Sequence, residues 1–571
     1  MPHLRIALAQ LNTTVGDLSG NAALIVSAAV EAARSGAHVV VYPEMALTGY
    51  PVEDLALRET FTAASREALP ELARRLAQAG CGEVLAYVGY LDADDAGPRD
   101  AAAALWRGEV VARQFKHHLP NYGVFDEHRW FTPGQRLEVL RLHGVDIGMV
   151  ICEDIWQDGG PVAALGAAGV DLVVAPNASP YERNKDDVRM PLAARRAAEA
   201  GAPLVYCNQV GGQDDLVFDG GSFVVDPAGS TLAGAAQFTT QVLVADLELA
   251  AGSDHRSGAF AGLEVARRVL SAAPVPPYDV QPPPSAPPLS DEAEVWSALV
   301  LGLRDYVRKN GFTSVIFGFS GGIDSAVCAA LAVDALGAAN VHGVSMPSKY
   351  SSTHSQSDAE DLARRLGCSF RVEPIADMVQ AYVGQLDLHG LAEENVQARV
   401  RGVLLMALSN LDGHLVLATG NKTEIAVGYS TMYGDAVGAF APIKDVFKTH
   451  VWQLARWRNA EASRRGETPP IPENSISKPP SAELRPDQLD TDSLPDYPLL
   501  DDILDDYVEG DRGYADLLAA GFDPATIDRV VRMVDIAEYK RRQYPPGTKI
   551  TFKAFGRDRR LPITNRWRER H

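Results

Sequence analysis

The chain has 571 residues, 46% apolar and 22% charged, with a formal net charge of −21; that length exceeds one hydrophobic core and implies two or three domains of ordinary globular composition. The acidic balance argues against a nucleic-acid partner, which takes a basic footprint. No apolar run reaches the length that spans a bilayer, and the opening "MPHLRIALAQLN" is too short and too polar for a signal peptide.

In chain order, the first part alternates short β-branched runs with helical stretches. "RIALAQLN", "HVVVYPE", "EVLAYVGYL", "VARQFKHH", "DIGMVICED", "DLVVAPN", "PLVYCNQV", "SFVVDP" and "QVLVADLEL" predict strands. Helices are predicted over 21–35 and 63–79, which makes this part a layered α/β domain. Five cysteines (Cys81, Cys152, Cys207, Cys328, Cys368) contain no CxxC pair. That argues against structural zinc and a disulfide framework and points to a reducing cytoplasm. Three reactive side chains, Glu44, Lys116 and Cys152, stand at the carboxyl ends of three predicted strands, from which they can converge on one pocket. A thiol is mostly protonated near neutral pH; a neighbouring lysine favours the thiolate and a carboxylate can accept and return the proton. Singly, the cysteine reads as a small buried hydrophobe and the other two as surface charges.

Residues 274–288, "PVPPYDVQPPPSAPP", hold eight prolines and predict a stiff extended linker. The chain is divided there into 1–270, a linker over 271–289, and 290–571. The second part opens with a predicted helix at Asp291–Lys309, with Val295, Leu299, Leu303 and Val307 at four-residue spacing. A strand "SVIFGF", the loop "GFSGGIDS", a helix over 325–336 and a strand "NVHGVSMP" then form a βαβ unit of a doubly wound sheet, where ligands sit beyond the strand ends. Glycines let backbone N–H groups approach an anion, and the helix adds its positive end. Ser320 and Ser325 can donate hydroxyl bonds, whereas Asp324 needs a cation between it and a phosphate and reads as a Mg²⁺ ligand. The loop lacks the lysine that would sit on β- and γ-phosphates. "GNKTEIAVGY" has a bland alternative, a loop and buried strand, which Lys422, Thr423 and Glu424 disfavour as poor core residues. The acidic, proline-rich stretch over 476–504 reads by composition as a disordered excursion.

The SGGxDS loop resembles that of the ATP pyrophosphatases, which implies that it holds the leaving pyrophosphate of an adenylation. Residues 4–265 resemble the nitrilase, or carbon–nitrogen hydrolase, superfamily. That resemblance implies an αββα sandwich with Glu44 as proton acceptor, Lys116 on the tetrahedral oxyanion, Cys152 as nucleophile and Glu127 as an additional glutamate. It also implies Tyr122, Ser179 and Lys185 as glutamine-binding residues. The order of the halves, with "PSKYSSTHSQSDA", "ENVQARVRG", "LATGNKTEIAVGYSTMYGD" and "PIKDVFKTHVWQLA", resembles the glutamine-dependent NAD synthetases. By that resemblance Gly318, Phe319, Ser320, Gly321, Gly322, Ile323, Asp324, Ser325, Arg399, Thr419 and Lys444 contact ATP. Asn395, Glu424 and Lys540 contact deamido-NAD⁺; Asp324 and Glu424 hold Mg²⁺. The 476–504 stretch becomes a substrate-covering loop. The implied partners are L-glutamine, ATP and deamido-NAD⁺, with Mg²⁺, no zinc and no flavin, no nucleic acid or membrane, in a cytoplasmic homo-oligomer. Three alternatives differ in what they require. An amidotransferase acting on another carboxylate usually carries a different glutaminase. A plain amidase that only senses nucleotide has no need of Ser320, Asp324, Lys444 and Glu424. A scaffold needs neither triad nor loop.

Overall fold

A computed structural model describes residues 3–249 and 256–567 of the chain. The chain divides into two compact units, Met1–Gln213 with Val217–Ser290, and Asp291–His571 with Asp214–Leu216. Among the described residues no helix is long and apolar enough to cross a membrane.

The first unit is a four-layer sandwich. One sheet has the order Gln241–Glu248, His3–Gln10, Val39–Val41, Leu85–Asp94, Gly97–Trp106, Glu109–Phe115. The second has eight strands, with Val145–Met149, Leu172–Asn177 and Leu204–Asn208 adjacent near its centre. Strand alternation sorts the side chains into layers. Leu4, Ile6 and Leu8 meet Ile147, Met149 and Val174 between the sheets. Ala7 and Ala9 point outward under the helices Leu18–Arg34 and Glu59–Leu76. On the far side, Val173 and Ala175 pack under Gly160–Ala168 and Asp186–Ala200. Both sheets are therefore buried on two faces, which explains the near-continuous apolar strands.

The nine predicted strands of this unit are present, and the two predicted helices begin three or four residues early. Gly97–Trp106, the longest of the strands not anticipated, contains "DAAAAL". Alanine has weak strand preference, and this strand is set by pairing to both neighbours. The proline segment is extended but is no open spacer. Gly234 N–H donates to Pro284 O and Ala286 N–H to Gly234 O, each at 3.0 Å, and Gln281 N–H donates to Asp246 Oδ2 at 2.7 Å.

The second unit is built on four parallel strands in the order Ser369–Val372, Val341–Ser345, Val315–Gly318, Leu415–Val416. This is the doubly wound sheet expected from the sequence. The order reverses between Val315–Gly318 and Leu415–Val416, and the glycine loop leaves the first of these at that point. Helix Asp291–Lys309 occupies its predicted span with Val295, Leu299, Leu303 and Val307 buried. The 476–504 stretch is ordered, with Tyr497, Leu500, Ile503 and Leu504 in a hydrophobic core.

One glycine in the first unit places the chemistry. Gly89, on Leu85–Asp94, has no room for a side chain: a Cβ there would stand 2.2 Å from Met45 N and 2.6 Å from Pro43 O. Gly89→Ala is expected to push the turn carrying Glu44 off the sheet and to cost roughly 1–3 kcal/mol as overpacking, read as a lowered urea midpoint.

Candidate active sites

Glu44, Lys116 and Cys152 lie just past the strands Val39–Val41, Glu109–Phe115 and Val145–Met149. The structure brings all three together, each 5% exposed or less. Lys116 Nζ stands 2.7 Å from Glu44 Oε1 and 2.8 Å from Glu127 Oε2, and Glu127 Oε1 also accepts from Tyr50 Oη at 2.8 Å. Glu44 Oε2 accepts from Ala178 N–H at 2.9 Å. The backbone is strained at both turns: Met45 has φ +48° and Cys152 φ +43°, conformations that side-chain-bearing residues take at a cost.

Burial, followed by the Glu44 charge, pushes the Cys152 thiol well above its ordinary range, and Lys116 does not offset them. Lys116 does favour the thiolate, as its charge implies, but burial and the Glu44 carboxylate outweigh it. Burial above all, with Glu44 adding to it, raises the Glu127 carboxyl to about 7 against the opposing ammonium.

Of the expected glutamine contacts, Tyr122 is exposed and its Oη donates to Glu153 Oε2 at 2.9 Å, beside Cys152. Ser179 is buried, its N–H donating to Asn208 Oδ1 at 2.9 Å. The Lys185 ammonium stands 5.8 Å above the Trp156 ring and 3.7 Å from Glu182. Sequence reasoning missed Asp154. Its carboxylate is fully buried and accepts from His117 and His118 N–H at 3.0 and 2.8 Å and from Ile151 N–H at 2.9 Å. It thereby ties the segment after Lys116 to the Cys152 turn. An acid two residues past the nucleophile is the only sequence signal, and it is common.

In the second unit a cavity of about 650 Å³ opens over the strand ends. Its wall includes Gly318, Phe319, Ser320, Gly322, Ile323, Asp324 and Ser325, together with Asn395, Arg399, Thr419, Glu424 and Lys540. Gly321 turns away at φ +77°, its carbonyl accepting from Ser475 Oγ at 3.0 Å. Ser325 Oγ donates to Gly322 O at 3.0 Å and lies 3.1 Å from Ser320 Oγ. Asn395 meets Thr431, Arg399 donates to Met432 O at 3.3 Å, and Lys540 Nζ donates to Gly428 and Ser430 carbonyls at 2.7 Å. Lys444 is outside this wall; its Nζ donates to Pro545 O at 2.8 Å.

Lys448, four residues on, does line the cavity. Its ammonium bonds Asp324 Oδ2, stands 3.4 Å from Glu424 Oε1, and lies 5.3 Å from the Tyr497 ring. Burial opposes that charge, but Asp324 and Glu424 outweigh it and raise the Lys448 pKa. Burial and then Asp324 raise the Glu424 carboxyl to about 8. Asn421, also unanticipated, donates to Asp324 Oδ1 at 3.0 Å and caps the helix Lys422–Val427. That helix replaces the bland loop-and-strand alternative. Lys422 and Thr423 are nevertheless fully buried, contrary to their expected unfitness for a core. Lys422 Nζ is satisfied by Asp445 Oδ1 at 2.8 Å, Glu509 Oε1 at 2.7 Å and Lys553 O at 3.0 Å. The stretch after 476 closes one side: Glu483 Oε1 accepts from Ser352 and Ser355 hydroxyls at 3.0 and 2.6 Å, and Lys478 to Leu484 line the wall.

Comparison with known proteins bears on both units. The carbon–nitrogen hydrolase family matches residues 5–256 and the NAD synthase family residues 295–544. The glutamine-dependent NAD(+) synthetase of Rhodobacter capsulatus is 45% identical over 99% of this chain and 99% of its own length. The chain belongs to the glutamine-dependent NAD(+) synthetase family. The Thermotoga maritima synthetase is 43% identical, with full coverage of both chains. The ADP complex of the Acinetobacter baumannii enzyme is 38% identical over the whole of both chains, with a TM-score of 0.73. Membership makes the chain a ligase with a nitrilase-like glutaminase unit.

Asp154→Asn tests the clamp within this synthetase. Asparagine can keep an oxygen for the His117 and His118 N–H groups but then turns its NH₂ toward the Ile151 N–H, at about 1–3 kcal/mol for an unmet buried group. A lowered thermal midpoint and slower alkylation of Cys152 by iodoacetamide are the expected results.

Proposed function

We propose that this chain converts ATP, deamido-NAD⁺, L-glutamine and water into AMP, diphosphate, NAD⁺ and L-glutamate. The observation that carries the reading is the buried Glu44–Lys116–Cys152 group on one unit of a chain whose other unit pairs an SGGxDS loop with a large cavity.

In the first unit Glu44 takes the Cys152 proton as sulfur attacks the glutamine amide carbon. Lys116 stabilises the resulting oxyanion. Glu44 returns the proton to the departing ammonia, and water then cleaves the thioester to glutamate. A buried protonated thiol beside a carboxylate suits this sequence, since proton transfer and attack go together. Tyr122, Ser179 and Lys185 take the glutamine backbone groups.

In the second unit the loop Gly318–Ser325 holds the polyphosphate, with Arg399 and Thr419 on ATP and Asn395, Glu424 and Lys540 on deamido-NAD⁺, all of them on the cavity wall that Lys444 does not reach. The nicotinate carboxylate attacks the α-phosphorus, diphosphate leaves, and ammonia displaces AMP to form the amide. Asp324 and Glu424 are the hard oxygen donors a Mg²⁺ ion takes. Burial and then Asp324 raise Glu424 while Lys448 partly offsets them, and a Mg²⁺ ion held by these carboxylates would neutralise polyphosphate charge.

Ammonium cannot attack an adenylate, so ammonia made at Cys152 reaches the second unit best through a closed passage. A cytoplasmic homo-oligomer accords with this and with five unbridged cysteines. Two packed helices, Ala376–Leu386 and Leu391–Asp412, expose Tyr382, Leu386, Val403 and Leu411, the last 77% exposed, an apolar surface that favours self-association. Light scattering across a dilution series checks this.

The deciding assay supplies all four substrates with Mg²⁺ and identifies the nucleotide products; ADP and phosphate in place of AMP and diphosphate would refute the adenylation. Cys152→Ala is expected to abolish glutamine-dependent synthesis and leave synthesis from ammonium salts, because the nucleophile and the loop belong to different units. Chelation is expected to stop synthesis and spare basal glutamine hydrolysis. Lys448→Met leaves Asp324 and Glu424 without their internal cation. Mg²⁺ is then expected to raise the thermal midpoint of the variant more than that of the parent protein.

A further inference from the structure

Asp100 has none of the roles assigned above. It lies on the strand Gly97–Trp106 and is 1% exposed. Its carbonyl accepts from Lys116 N–H at 2.9 Å, which holds its side chain beside the ammonium, and Asp100 Oδ2 stands 3.4 Å from Lys116 Nζ. Neither carboxyl oxygen meets a hydrogen-bond donor. One oxygen each of Glu44, Asp100 and Glu127 lie within 4.8 Å of one another. A single positive charge therefore faces three carboxyl groups, all sealed from water. Fully ionised, the group would carry two uncompensated negative charges, which a dry interior does not hold.

Donors decide where protons reside. Glu44 has Lys116 and the Ala178 N–H, and Glu127 has Lys116 and the Tyr50 hydroxyl. Asp100 has only the ammonium at its longest distance. The carboxyl poorest in donors is the one to keep its proton, and a contact between two carboxyl groups becomes a hydrogen bond only when one is protonated. We propose that Asp100 is a neutral carboxylic acid donating its proton in a hydrogen bond to the Glu44 carboxylate, and so positions Glu44 and keeps it ionised to receive the Cys152 proton.

Burial first, then the charge of Glu44, pushes the Asp100 carboxyl well above the usual range against the pull of Lys116. The charged groups facing it are Glu44 beyond Val39–Val41, Lys116 beyond Glu109–Phe115, and Glu127 on Glu127–Arg129. Glu44 loses one of three donors if Asp100 is removed.

The functional half of this inference rests on the glutaminase reading; the protonation half does not. Asp100→Asn keeps a donor toward Glu44, and its glutaminase kcat/KM is expected within about threefold of the parent, with the acid limb of the pH profile in place. Asp100→Ala is expected to move that limb up by about one pH unit and to lower kcat about tenfold with little change in KM. The infrared difference between parent and Asp100→Asn at neutral pH is expected to contain the C=O stretch of a protonated carboxyl. Near-ultraviolet circular dichroism and the thermal midpoint report folding of each variant. Asp100→Asn as damaging as Asp100→Ala, or an infrared difference without that band, overturns the proposal. Glutamine hydrolysis that survives Cys152→Ala sinks the glutaminase reading instead, and the infrared band still decides the state of Asp100.

Discussion

One buried ammonium organises the first unit. Lys116 Nζ is the shared partner of Glu44 and Glu127, and each of these carboxylates is fixed from a different element. Taking the lysine out would leave carboxyl groups facing one another without a cation, the costliest kind of change in an interior. Its position in turn needs the Asp154 clamp, the missing side chain of Gly89 and the strained turns at Met45 and Cys152. The sandwich contributes rigidity: strands buried on both faces leave these turns no freedom to relax.

The second unit meets the same constraint differently. Lys448 stands between Asp324 and Glu424 on the wall of an open cavity, where ligands carry charge in and out. A cation belonging to the chain lets two acids coexist there before any ligand arrives. The polar groups of Asn421 and the Ser320–Ser325 pair hold the loop's form, so the phosphate cradle is shaped by protein contacts. Both units thus set a lysine among neighbouring acids, Lys116 beside Glu44, Asp100 and Glu127 and Lys448 beside Asp324 and Glu424.

Much of this was legible in the sequence, for identifiable reasons. Strand ends marked by Glu44, Lys116 and Cys152 are short-range patterns, and so is a glycine loop between a strand and a helix. The layers and the parallel sheet followed from the same alternation. What escaped were residues whose meaning is long-range. Asp154 and Asp100 are ordinary acids until three-dimensional pairing aims them at N–H groups or at another carboxyl. Lys448 looked no different from Lys444 in "PIKDVFK", and only the path of the chain places one in the cavity wall and the other against Pro545. Lys422 shows the limit of composition: a charged residue enters a core when partners for every donor wait there. At Cys152 the lysine acts in the direction its charge implies, and only the fold reveals that burial and Glu44 outweigh it.

The proline segment bears on where this chain can be cut. Composition marks the boundary near residue 270, but main-chain bonds between Gly234 and residues 284–286, and from Gln281 to Asp246, belong to the first unit's own fabric. A nitrilase-like fragment ended at 270 would expose the edge around Gly234 and leave Asp246 short of an N–H donor. The smallest self-contained version of that unit therefore ends beyond Ala286, and a protease cutting within the prolines would injure the unit before them.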